Sequence, residues 1–180
     1  IIERAGLEKL EWHHLEWLLR NRLISLKKIC PSASENTAIV SSSELLDFAA
    51  QANIKIASVS VWKNAATAIL QASAARLIEN GNVPEDSPVY KNMQRIQPYY
   101  EAFFSFLETN LTMPSSASLN DHCIALKNII TAFGIQEKIK ASDNNKLLQA
   151  QLNSILNILA ADVKPEEAID GQSFLEWFQE

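Results

Sequence analysis

An all-α fold, a single helical bundle of about five to seven helices, is what this sequence predicts. Three observations predict it. The 180 residues contain only four glycines, whereas strand-rich domains spend glycine on hairpins and bulges. Apolar residues recur at steps of three and four through most of the chain. The segments that carry this period are bounded by Ser, Asp, Pro and Gly at positions suited to helix caps.

The first helix is expected to be long, from about Ile2 to Cys30, with Pro31 stopping it. Along it Trp12, Leu15, Leu19, Leu23, Leu26 and Cys30 form one apolar seam, and Leu10, Trp17 and Ile24 form a second line at steps of seven. Lys9, Glu16, Arg20 and Lys27 lie between the two as a wet stripe. A helix with two apolar lines is either central in a bundle or presents one line to something else.

After the Ser-rich loop "PSASENTAIVSSS", Ser42 or Ser43 is placed to cap a helix beginning "ELLDFAAQAN". "IKIASVSV", residues 54–61, alternates like a strand yet keeps helical spacing through Ile54, Ser58, Val61, Ala65 and Ala68. With no evident strand partner it reads as helix, with a break near Asn53. That helix runs to Glu79 and ends where Gly81 suits a left-handed cap. Its Ala65, Ala68, Ala72 and Ala75 form a smooth stripe that lets a neighbouring backbone approach closely.

Ser87-Pro88 reads as a cap followed by proline at the first helical position. Pro98 then predicts a kink in, or a break of, the helix "VYKNMQRIQPYYEAFFSFLETNL". Ser118, with Asp121 three residues on, starts a helix expected to reach about Lys140, with Gly134 a weak point. A further helix is expected from Asp143 to near Asp162, and a last one from Pro165 through "FLEWFQE". One domain spanning residues 1–180 accommodates all of this, with a sub-boundary at 81–88. The chain begins at Ile1 rather than Met, so the expectation is a fragment of a larger protein or a chain whose leader has been removed.

Composition narrows the function. With 47% hydrophobic and 21% charged residues the chain is ordinary globular material, which excludes general disorder. A net charge of −5 opposes binding to phosphate backbones, and the aromatic residues sit among carboxylates rather than cations, so no nucleic-acid partner is expected. Cys30 and Cys123 are far apart in sequence and lie on apolar stripes, so they read as buried reduced thiols in a cytoplasmic protein. No apolar run approaches the ~18 residues that cross a bilayer, so no transmembrane segment is expected.

Reactive constellations are sparse. Glu11 and His14 stand three apart, as ligand pairs do in di-iron bundles, but the other histidine, His122, follows Leu119 at that distance. The adjacent His13 and His14 project in different directions on a helix. His122 and Cys123 are likewise neighbours, while a thiol and its base must meet in space. No catalytic, cofactor or metal residue is therefore assigned. An enzyme with a Cys/His site of hydrolase type ranks third among the readings.

The first reading is a non-catalytic helical-bundle module, a scaffold piece of a larger intracellular protein, that binds partner helices through apolar surface lines. Its candidate contacts are Leu10, Trp17 and Ile24 on the first helix and Phe174, Trp177 and Phe178 at the C-terminus. Tryptophan is enriched where binding energy concentrates. The second reading is a bundle that binds phospholipid headgroups at a membrane surface, with Lys138, Lys140 and Lys146 as the contacts.

Overall fold

The computed structural model describes residues 9–20, 26–29, 40–134, 150, 154, 157, 168–171 and 173–174. Over these residues the protein is mostly helical, as expected. Its helices are α1 (Trp12–Arg20), α2 (Ser42–Ala50), α3 (Val59–Glu79), α4 (Pro88–Asn110) and α5 (Leu119–Ala132), with Leu26–Ile29 helical as well. Two short antiparallel pairs accompany them: β1 (Leu10–Glu11) with β2 (Ile56–Ala57), and β3 (Ser116–Ser118) with β4 (Ala168–Asp170). The chain divides into two compact units, one of Glu8–Thr109 and the other taking in the described residues from Asn110 onward. The expected sub-boundary at 81–88 lies inside the first unit, as the turn between α3 and α4.

In the first unit the expected long N-terminal helix is short. Residues 10–11 are extended, with Leu10 opposite Ala57 and Glu11 opposite Ile56, and the helix starts only at Trp12. The Trp12 N–H donates to the Lys55 carbonyl at 2.9 Å. The Leu10 carbonyl, which a helix would have given to the N–H four residues on, accepts instead from the Trp62 indole Nε1–H at 2.9 Å. "IKIA" is thus a strand with a partner forty-odd residues upstream, a pairing that local periodicity does not reveal. The break expected near Asn53 is present: that residue has φ of 51°, in the left-handed region.

Of the expected seam, Leu15, Leu19 and Leu26 are buried, with Leu18 added to them, and Trp12 is half-buried; Leu23 and Cys30 lie outside the described residues. Trp62 organises the rest. It is fully buried and stacks on Phe104 with centroids 5.9 Å apart, and its carbonyl accepts from the Tyr100 hydroxyl at 2.7 Å. Burial pushes the Tyr100 phenol above its ordinary range, so it stays a donor. Phe48 from α2 meets Tyr100 edge-on at 5.1 Å. Pro98 lies inside α4, one helix rather than two. The ring falls on the exposed side, where water can take the place of the lost backbone hydrogen bond.

The cap of α2 is Ser41, one residue before the expected pair, because only from there does Glu44 complete a reciprocal box. The Glu44 N–H donates to Ser41 Oγ at 3.2 Å, and the Ser41 N–H donates to Glu44 Oε2 at 2.9 Å. Arg95 Nη2 of α4 donates to the other carboxylate oxygen, tying two helices together. Hydrogen bonds from the Ser41 backbone and hydroxyl, with the Arg95 guanidinium behind them, hold the Glu44 carboxyl below its ordinary 4.5. A carboxyl depressed on folding stabilises the fold above its unfolded value, and that contribution disappears as pH falls through the folded value. Glu44→Gln should therefore melt below the wild type at neutral pH, with the gap closing as thermal scans move below pH 4.5.

The turn after α3 agrees with the sequence reading. Gly81 has φ of 74°, and its N–H donates to the Ile78 carbonyl at 2.9 Å. Ser87 accepts from the Tyr90 N–H at 3.4 Å, with Pro88 opening α4.

In the second unit Ser118 caps α5, as expected, by accepting from the Asp121 N–H at 3.2 Å. The helix stops at Ala132 rather than near Lys140, and Gly134, with φ of 63°, is part of its termination rather than a weak point within it. Of the helix expected from Asp143 to Asp162, residues 150, 154 and 157 are helical and the others lie outside the described residues. The helix expected from Pro165 does not include Ala168–Asp170, which pair with β3 in the register Ser116–Asp170, Ala117–Ile169, Ser118–Ala168. Asp170 then caps the next turn of chain, its Oδ1 accepting from the Ser173 N–H at 3.0 Å.

Candidate docking surface

The line Leu10, Trp17, Ile24 does not survive as a surface. It presumed one helix through all three residues, and Leu10 lies before α1 starts, fully buried in β1. Trp17 is 48% exposed. It shares the outer side of α1 with His13 and Arg20, away from buried His14, Leu15, Leu18 and Leu19. Arg20 Nε beside it is bonded to Glu16 Oε1 at 2.8 Å. Ile24 lies outside the described residues.

The C-terminal candidates fare similarly. Phe174 is 1% exposed and packs on Leu119, Cys123, Leu126 and Ile130 of α5, so it is core rather than contact surface. An aromatic that ends a chain segment reads the same in sequence whether it binds a partner or its own protein. Trp177 and Phe178 lie outside the described residues, as do Lys138, Lys140 and Lys146.

Among the described residues the reactive groups do not converge on a shared site. Glu11 turns to His13, with 3.3 Å between its Oε2 and the ring Nδ1, rather than to His14. His13 and His14 face each other at 3.9 Å between centroids. Among the described residues no three of His, Cys, Asp and Glu come together in a way that could hold a metal ion. His122 Nε2–H donates to the Ile169 carbonyl at 2.7 Å, and its ring lies flat against Phe174. Burial pushes the neighbouring Cys123 thiol up, against a smaller opposing pull from Lys127, so it is held as thiol rather than thiolate. No described helix is long and apolar enough to cross a membrane.

One surface stands out. α3 buries Trp62, Ala66, Ile69 and Leu70. Its opposite side carries Val61, Ala65, Ala68, Ala72 and Ala75 at steps of four and three, all exposed except half-buried Ala65. Asn64, Thr67 and Gln71 flank this ridge, also exposed. Between Val59 and Ala75 the one ionisable side chain is Lys63, and it bonds Glu108 Oε2 of α4 at 3.2 Å. The outward face is therefore uncharged over four turns, and beyond it Ile78 is 64% exposed. The sequence marks the alanine stripe as a face for close backbone approach, and the fold leaves that face in solvent. Periodicity identifies which residues share a side; it does not say which side the core takes.

No family model matches this chain, and no curated protein or solved structure matches it either.

Proposed function

We propose that this chain is a non-catalytic helical module that binds another protein, and that the outer face of α3 receives a helix of that partner. The supporting observation is the uncharged ridge Val61, Ala65, Ala68, Ala72, Ala75, left in solvent on a helix whose Trp62, Ala66, Ile69 and Leu70 are buried. Small side chains let two helix axes approach to ~8 Å, the short end of the usual range. A face without charges loses no ionic hydration when covered, and the cores of protein interfaces are depleted in charge for that reason. Trp17 on α1 is a second contact candidate, since exposed tryptophans serve as interface anchors.

Affinity capture from cell extract tests the reading with Ala72→Glu, Trp17→Glu and a control, Gln94→Glu, at an exposed site on α4. All three should fold, because substitutions at exposed positions change stability by only about 0.5 kcal/mol. Ala72→Glu should lose the captured partner by tenfold or more while Gln94→Glu retains it. Retention of every captured protein by both Ala72→Glu and Trp17→Glu would defeat the proposal.

A further inference from the structure

We propose that Asn80 is a site of self-modification, its side-chain amide converted to a carboxylate through attack by the Gly81 backbone nitrogen. The closed cap of α3 holds that reaction back. Asn80-Gly81 is the one Asn-Gly pair in the chain. Glycine leaves the attacking nitrogen unshielded, since it has no Cβ beside it. Both residues are exposed, and apart from chain neighbours nothing stands within 4 Å of where a Gly81 Cβ would lie. Water and base therefore reach the reacting atoms.

The chemistry needs no reactant beyond water. Base takes the proton from the Gly81 N–H, and that nitrogen bonds to Asn80 Cγ. The Cγ–Nδ2 bond breaks, and the side-chain nitrogen takes up a proton and leaves as ammonia. Water then opens the resulting five-membered imide at one of its two carbonyls. The product is aspartate, or isoaspartate when the main chain comes to run through Cβ and Cγ. Ammonia has left and water has been added, and nothing is oxidised or reduced.

The fold opposes the first step. Asn80 has ψ of 10°, so the Gly81 nitrogen nearly eclipses the nitrogen of Asn80 itself, whereas ring closure needs it on the Cβ side. The N–H that must be lost donates to the Ile78 carbonyl at 2.9 Å, and the Asn82 N–H donates to the Leu77 carbonyl at 2.8 Å. The Asn80 side chain is held back along the helix, its Nδ2–H donating to the Arg76 carbonyl at 2.8 Å. Bringing the reacting atoms together breaks these bonds, so the reaction awaits fraying of the last turn of α3. Once formed, the carboxylate cannot restore the cap. It has no proton to donate to the Arg76 carbonyl, and it sits at the helix end where negative charge is disfavoured.

The purified chain is incubated in mildly alkaline buffer, folded or unfolded in urea, and peptide mass spectrometry follows conversion of amide to acid. Asn82 is the internal control, because the β-branched Val83 after it crowds the attacking nitrogen. In urea Asn80 should convert about tenfold or more faster than Asn82, and folding should slow Asn80 by about tenfold or more. Ile78→Gly weakens the last turn at an exposed position without touching the reacting atoms, and should quicken the folded reaction roughly two- to threefold. Conversion of Asn80 no faster than Asn82 in urea would overturn the site. Equal rates for folded and unfolded protein, or no change in Ile78→Gly, would overturn the restraint by the cap.

Discussion

Trp62→Ala is expected to cost about 3–5 kcal/mol, the usual range for emptying a buried aromatic site, and so to remove much of a stability that is typically ~5–15 kcal/mol. The residue is fully buried and does three things at once. Its ring stacks on Phe104, its indole N–H donates to the Leu10 carbonyl that joins β1 to the core, and its own carbonyl receives the Tyr100 hydroxyl. Alanine keeps the last of these and loses the other two. Trp62→Phe separates them: the stack is largely retained, while the Leu10 carbonyl loses its partner at a cost of roughly 1–3 kcal/mol. Denaturant titrations followed by circular dichroism give both values. A Trp62→Ala loss under about 1 kcal/mol, far below the large-to-small range, would show that the core is organised elsewhere.

The second large effect is expected at Gly171. A Cβ built there would stand 2.5 Å from the Pro114 carbonyl oxygen and 3.6 Å from His122 Cε1. The first contact is with backbone, which cannot rotate away as a long side chain can, so Gly171→Ala must displace the turn that carries the Ser115 hydrogen bond. Overpacking of this kind costs about 1–3 kcal/mol. Amide exchange in β3 and β4 should accordingly quicken by roughly five- to hundredfold, at ~1.4 kcal/mol per factor of ten. Exchange across α2, α3 and α4 should not change. Unaltered exchange in β3 and β4 would mean that the two strands pair without needing a bare backbone at this position.

Several helix ends were readable because each depends on residues close in sequence. Ser118 with Asp121, Ser87 with Pro88, and Gly81 after α3 all appear where short-range chemistry puts them. The two strand pairs were not readable. Residues 10–11 and 168–170 carry helix-compatible patterns, and their extended form is decided by partners far along the chain. That one fact accounts for the failed contact line, since Leu10 and Trp17 belong to the same face only if residue 10 is helical. The α3 ridge was visible as a stripe of alanines, but its exposure depends on which side Trp62 and Ile69 turn to the core. Phe174 fell on the wrong side of the same ambiguity: an apolar residue near the end of a sequence carries no mark of what covers it.

The central claim is that the uncharged face of α3 meets a partner helix, and site-specific photocrosslinking tests it most directly. A benzophenone amino acid at position 72, with a second protein carrying it at position 94, is irradiated in cell extract and the adducts are compared. The account predicts a discrete protein adduct at 72 that is absent at 94. No adduct at 72, or the same adducts at both positions, would contradict it.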